Sequence, residues 1–214
     1  MRLANEMSGA VVRLGLLLAL CLGASAEPSN LVELVKVDPT LRLDIRYATP
    51  NNFLGFPVYP EARAFLQREA AEAVKAANQE LRSQGLGLLI LDAYRPHFVT
   101  QLMWDRTPES KRAYVADPAQ GSRHNRGAAV DLTIIDLATG RPLKMPSMYD
   151  DFSEKAHHDY QLASAEALAN RARLRALMEK HGFQALSNEW WHYDFKGWEK
   201  YPISNQSFRE LEQP

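Results

Sequence analysis

Leu41, Leu43, Ile45 and Tyr47 alternate with Arg42, Asp44 and Arg46, a period of two that predicts a half-buried strand. The polar and glycine-containing stretch from Asn51 to Pro57 breaks it. From Glu61 to Arg82 there is neither Pro nor Gly. Leu66, Ala70, Ala73, Val74, Ala77 and Leu81 form an apolar stripe at helical spacing, which predicts a packing helix over 61–82 stopped by Gly85. Leu88 to Leu91 is a continuous apolar run between Gly87 and Asp92 and reads as a central strand. Phe98 to Trp104 reads as a short helix. Val130, Leu132 and Ile134 alternate with Ala129, Asp131 and Thr133, a strand with one face packed and the carboxylate on the face that carries small residues. Asp136 to Gly140 has turn composition, and Arg141 to Met145 is expected to return as a hairpin arm. A second helix is expected over 163–180, with Leu168, Leu174, Leu177 and Met178 inward, Arg171, Arg173 and Arg175 outward, and Gly182 as its stop. Phe183 to Leu186 is a short strand. Together these elements describe one α+β domain, an antiparallel sheet flanked by helices at 61–82 and 163–180.

The amino terminus stands apart from this pattern. Arg2 and Arg13 precede the apolar run Leu14 to Leu22, and Ala24-Ser25-Ala26 follows it as a small-residue cleavage site, the layout of a secretory signal peptide. The run is shorter than the ~20 residues a bilayer span needs, so no membrane insertion is expected once residues 1–26 are removed. The mature chain then begins near Glu27, is exported to the periplasm or beyond, and retains 188 of 214 residues, enough for one well-cored domain. The single cysteine, Cys21, leaves with the signal. No thiol or disulfide remains, so a metal would have to be held by His, Asp or Glu. With 25 Lys and Arg against 26 Asp and Glu, scattered rather than clustered, the chain lacks the basic patch of a nucleic-acid or polybasic membrane binder. A small, nearly neutral ligand suits it better.

The candidate chemistry lies in three places. His124 follows a Gly- and Ser-flanked loop, and Asp131 lies seven residues on; the pair reads as two metal ligands or, alternatively, as a loop histidine beside a hydrogen-bonded aspartate. Pro96 drives Arg95 towards extended backbone angles at the end of the 88–91 strand, so its guanidinium is presented from a buried element, ready for an anion or for a neighbouring carboxylate. In Glu189-Trp190-Trp191-His192-Tyr193-Asp194-Phe195, His192 supplies a third ligand, which leaves a fourth position for water as in a catalytic zinc site. Glu189 lies three residues earlier and in a regular strand would face the other way. The backbone must bend near Trp190 for Glu189 to act as general base at the same site. Trp191, Tyr193 and Phe195 are expected in the core on the other face. Adjacent His157 and His158 read as loop-packing or solvent residues.

Ser122-x-His124-x-x-Gly127-x-Ala129-x-Asp131 with Glu189-x-x-His192 resembles the signature of the zinc D-alanyl-D-alanine dipeptidases of the VanX type, within the Hedgehog/D,D-peptidase-like zinc peptidases. The resemblance extends to Arg46-Tyr47-Ala48-Thr49, Asn52-Phe53, Asp92-Ala93-Tyr94-Arg95-Pro96, Tyr149-Asp150 and His157-His158, so it spans essentially the whole mature chain. It implies one Zn2+ per chain on His124, Asp131 and His192, with Glu189 as catalytic base and Arg95 stabilising the tetrahedral oxyanion. It further implies Asp150 holding the substrate's amino group, Ser122 near its carboxylate, and hydrolysis of a small D,D-dipeptide in peptidoglycan precursor turnover or glycopeptide resistance. Two features depart from the family's pattern: Tyr149 where Phe is common, with Asp151 as a second acid beside Asp150, and the exported amino terminus. The competing readings are a D,D-carboxypeptidase or endopeptidase working on peptidoglycan stems and a non-catalytic zinc-stabilised binding domain. A general base at Glu189 has no use in the latter.

Overall fold

A computed structural model describes residues 30–212; the signal-peptide expectation for residues 1–26 lies outside them. The chain runs β1 (Leu31–Glu33), α1 (Leu34–Val37), β2 (Arg42–Leu43), β3 (Phe65–Gln67), α2 (Arg68–Arg82), β4 (Leu86–Asp92), α3 (His97–Arg106), β5 (Ala129–Asp136), α4 (Ala165–Lys180), β6 (Phe183–Ala185) and β7 (His192–Phe195). The main sheet has the order β2-β4-β5-β7-β6. Its β4, β5, β7 and β6 pair antiparallel, as expected, whereas the two-residue edge strand β2 runs parallel to β4.

Helices α2 and α4 cover one face, touching each other as well as the sheet. Val74, Ala77 and Leu81 of α2 and Leu174, Leu177 and Met178 of α4 meet Leu88, Ile90, Val130, Leu132 and Ile134 in the main core. Glu80 accepts from Lys180 and pairs with His181, tying the far ends of the two helices together. The opposite face carries a smaller cluster of Leu89, Leu91 and Ile135 under Leu137 and Tyr149. Strand β5 is therefore buried on both faces, not on one.

Several boundaries differ from the sequence pattern for tertiary reasons. Residues 65–67 continue the apolar stripe of α2 but are extended. They pair with β1 in the register Val32↔Leu66, and their backbone receives Tyr94 N–H and donates to Gly127 O. Those long-range bonds outweigh helix propensity and start α2 at Arg68. The 41–47 alternation yields only two paired residues before the chain turns through a 3-10 segment at Arg46–Ala48, although Leu41, Ile45 and Tyr47 are buried as their period requires. The expected hairpin arm at 141–145 contributes one bridge, Ile135↔Pro142. Pro142 and Pro146 have no N–H to extend a ladder. Arg171 is buried rather than outward: its guanidinium donates to the carbonyls of His157 and Tyr160 and clamps that loop onto α4.

Candidate metal centre

Three neighbouring strands deliver side chains to one level of the sheet. Asp131 on β5 lies directly opposite His192 on β7, and a register shift in β4 between Ile90 and Asp92 brings Asp92 opposite Asp131 on its other side. His124 arrives from a 3-10 turn, His124–Arg126, closed by Gly127 at φ 63°. A side chain at Gly127 would run into Leu31, so both the backbone angle and the close approach of β1 require glycine there. Asn125 locks the turn to the end of β4: its Oδ1 accepts from Ser122 N at 2.7 Å, and its Nδ2 donates to Arg95 O and Thr100 Oγ1 at 2.8 Å.

The donor atoms converge. His124 Nε2 is 3.1 Å from His192 Nδ1 and 3.3 Å from Asp131 Oδ1, and His192 Nδ1 is 3.0 Å from Asp131 Oδ1. Donors bound at about 2.0 Å to one tetrahedral ion lie about 3.3 Å apart, so the triangle fits a single small cation. The outer ring nitrogens settle the tautomers. His124 Nδ1 is 2.6 Å from the Ala93 carbonyl and His192 Nε2 is 2.9 Å from Asp194 Oδ1. Both acceptors lack protons, so each outer nitrogen donates and the lone pairs of neutral rings point inward. Two lone pairs and a carboxylate oxygen facing one another inside the protein demand a positive charge. The same field acts on the groups themselves. Without a cation, imidazole protons take its place: burial opposes the ionisation of Asp131, yet the histidines in their charged forms hold it well below the ordinary carboxylate range. Burial likewise opposes a charge on His192, yet Asp131 and Asp194 push its basicity well above that of an ordinary imidazole. His124, Asp131 and His192 form a buried metal-ligand triad.

Outer contacts hold this triad in place, as ligand supports commonly do. Asp194 orients His192, and Tyr149 Oη donates to Asp131 Oδ2 at 2.8 Å, leaving Oδ1 for the cation. Tyr149 thus has a bond that a phenylalanine there could not make. Asp194 was legible as a residue two positions from His192 on the same strand face; Tyr149 carried no comparable sequence signal.

A cavity of about 210 Å³ opens on the triad, and Arg95, Ser122, Asp150 and Glu189 all line it. Glu189 reaches it because the chain turns between β6 and β7: Glu189 O accepts from His192 N–H, and Trp190 N–H donates to Ala156 O. The bend required near Trp190 is therefore present. Glu189 makes no hydrogen bond or ion pair through its carboxylate among the described residues. It lies deep in the protein with one side open to the cavity, and burial raises its pKa to about 7. Asp150 also opens on the cavity, and burial raises it to about 7 against the lowering effect of Tyr47 Oη, which donates at 3.0 Å. Asp150 has φ 60°, a left-handed conformation that aspartate and asparagine tolerate better than most side chains.

Arg95 is buried, and its Nε and Nη2 both donate to Asp92 Oδ2, while Tyr59 Oη donates to Asp92 Oδ1 at 2.8 Å. The guanidinium is fixed along one edge, with the Tyr47 ring at 5.2 Å. Asp92, three residues before Arg95, is the positioning residue that the sequence reading passed over. Ser122 is buried, and its Oγ accepts from His124 N–H at 3.1 Å, which leaves its own proton free to donate. His157 and His158 lie away from the triad: His157 sits against Tyr114 and His158 against Tyr193, as loop-packing residues. Trp191 and Tyr193 are buried as expected, and Phe195 is half-buried.

A mixed sheet that gathers two imidazoles and a carboxylate beside an unpaired carboxylate and a fixed guanidinium defines a metal-dependent hydrolase. The comparisons with known proteins specify it. Residues 27–212 match the M15 peptidase family described as D-ala-D-ala dipeptidase, and the chain belongs to that family. The D-alanyl-D-alanine dipeptidase of Escherichia coli (strain K12) is 33% identical over 183 residues, 86% of this chain and 93% of that protein. That of Enterococcus faecium is 38% identical over 189 residues, 78% of this chain and 92% of that protein. A solved LD-carboxypeptidase, LdcB, overlays with a TM-score of 0.45 and 19% identity over 83% of this chain and 74% of that one. The expected α+β class, a largely antiparallel sheet flanked by helices, is the observed one.

Proposed function

We propose that the protein hydrolyses free D-Ala-D-Ala with one zinc ion held by His124, Asp131 and His192. Two nitrogens and one carboxylate oxygen, with no thiolate, suit zinc and leave a position open. A bound zinc ion supplies Lewis acidity, which acidifies water and polarises a carbonyl. Glu189 takes the proton of the attacking water as the new C–O bond forms, and returns it to the nitrogen as the C–N bond breaks, releasing two alanines. Arg95, held along one edge by Asp92, directs its remaining N–H groups at the oxygen that gains charge in the tetrahedral transition state. Because that oxygen gains its charge only in the transition state, the contribution of Arg95 falls mainly on kcat. Ser122 offers its hydroxyl to the substrate's carboxylate.

Asp150 is the observation that carries the dipeptidase reading. It lines the cavity with hydrogen bonds from Tyr47 Oη and Phe53 N–H, but has no ion pair among the described residues. A free dipeptide brings an α-ammonium beside its scissile carbonyl, whereas a peptidoglycan stem has a neutral amide there. A desolvated carboxylate gains from the first and is left unpaired by the second. Wild-type enzyme is therefore expected to cleave D-Ala-D-Ala and to reject its N-acetylated form by about 10³-fold or more in kcat/KM, with Asp150→Asn losing most of that preference. Equal rates on the two substrates would sink the dipeptidase reading in favour of stem trimming.

Export is part of the same proposal. It is supported by the Leu14 to Leu22 run and the Ala24-Ser25-Ala26 site, and by a family match that begins at residue 27. Protein from the native host is expected to begin near Glu27 on amino-terminal sequencing. Uncleaved chain in the cytoplasm would contradict this.

A further inference from the structure

A free dipeptide carries charge at both ends, and the reading above provides an ionic partner for only one of them. The cations lining the cavity, apart from the two metal-ligand histidines, are Arg95 and Arg123. Arg95 is committed to Asp92, and it is the arginine that acts on Asp150 and Glu189. Arg123 lies elsewhere: it acts on Asp194, which stands behind His192.

Arg123 differs from the other aromatic-stacked arginines in its place on the rim of the metal cavity, one residue from Ser122. Its guanidinium makes no hydrogen bond to any described residue. Its nearest carboxylate oxygen, Asp194 Oδ2, is 3.6 Å from Nε, too far for one, and the other oxygen of Asp194 serves His192. The side chain is nevertheless placed. Its Cζ lies 4.5 Å from the centroid of the Trp198 ring, while 45% of its surface stays accessible. A guanidinium held over an aromatic face keeps its edge N–H groups free, the geometry in which arginine receives a carboxylate through two parallel bonds. The residue before it, Ser122, has a hydroxyl proton to donate into the same cavity. The ion pair with Asp194 reaches Arg123 at Nε alone, at 3.6 Å, and leaves the two Nη groups without a hydrogen bond among the described residues.

We propose that Arg123, with the Ser122 hydroxyl, forms the subsite for the substrate's free α-carboxylate and makes the enzyme specific for an uncapped carboxyl end. The inference rests on the dipeptidase reading and adds the other end of the substrate. Ammonium recognition at Asp150 and carboxylate recognition at Arg123 would together limit substrates to two residues, because a longer peptide on either side removes one of the charges.

The test compares D-Ala-D-Ala with D-Ala-D-Ala amide, which differs only in the charge at that end. Wild type is expected to prefer the acid by about 10²-fold in kcat/KM, and Arg123→Gln to bring the two substrates within about threefold. The loss should appear as a 10- to 100-fold rise in KM for the acid with a smaller change in kcat, and Arg123→Lys should restore part of it. Dissociation constants of the acid and the amide measured by calorimetry on the catalytically impaired Glu189→Gln protein, with and without Arg123→Gln, should show the same convergence. Asp194→Asn should weaken zinc about 10- to 100-fold and keep the acid preference. If Arg123→Gln instead loses zinc and slows both substrates in proportion, the residue acts through Asp194 and the proposal is overturned. It is overturned equally if the variant keeps the wild-type acid preference while D-Ala-D-Ala is still cleaved. Failure of wild type to cleave D-Ala-D-Ala at all would overturn the dipeptidase reading, and this inference with it.

Discussion

Glu189→Gln is expected to fold, to bind zinc as wild type does, and to lose about 10³- to 10⁴-fold in kcat. The side chain keeps its shape and its place in the turn before β7, but glutamine cannot accept the proton of the attacking water or hand it to the leaving nitrogen. Single-turnover assays on metal-replete protein measure this directly, and a rate within tenfold of wild type would remove Glu189 from the chemistry. The pH profile gives a second reading. Glu189 works only as the carboxylate. Burial raises its pKa to about 7, and a bound cation pulls it back towards the ordinary value of about 4.3. The acid limb of kcat, read at saturating dipeptide whose ammonium keeps Asp150 ionised, is therefore expected between those limits, and the residual kcat of the glutamine variant should lack it. Stability moves the opposite way. A carboxyl group whose pKa is raised by folding contributes stability that is complete below its unfolded value and is lost as the pH rises through about 7. Metal-free Glu189→Gln should therefore exceed the metal-free wild type at pH 8 by about 2 kcal/mol, less than the full shift because one side of Glu189 opens on the cavity. Catalysis thus depends on a carboxylate that destabilises the fold.

His192→Ala and His124→Ala should each leave less than a tenth of the zinc after dialysis against a weak chelator, and activity should fall with it. With one donor gone, two remain, and the support that Asp194 gives His192, or Ala93 O gives His124, has nothing to hold. Metal analysis alongside circular dichroism separates loss of the ion from loss of the fold. Full zinc occupancy in either variant would exclude that histidine from the ligand set.

The sequence carried the ligands because each sits at a period or a boundary that its neighbours announce: Asp131 in an alternating strand, His124 before an αL glycine, His192 after a turn. Central strands β4 and β5 were legible for the same reason, as were helices α3 and α4. What escaped the sequence depends on contacts far apart along the chain. β3 becomes extended only because β1 lies beside it, Arg171 turns inward only because the 157–160 loop presents carbonyls, and Tyr149 reaches Asp131 only through the path of the 141–150 segment. Arg123 escaped for another reason. Its guanidinium makes no hydrogen bond among the described residues, a property that a sequence does not display.

The opposed pair Asp131↔His192 has a consequence for folding. A slip of one residue between β5 and β7 would send the two side chains to opposite faces of the sheet and break the donor triangle. An ion that binds all three donors therefore rewards one strand register and no other. It also closes a loop across 61 residues, for which a covalent bridge would remove about 4 kcal/mol of unfolded-chain entropy. From Glu27 onward the chain has no cysteine. In a protein of that composition an ion bound there would also clasp the two strands together, a role that a disulfide fills in many cysteine-containing domains.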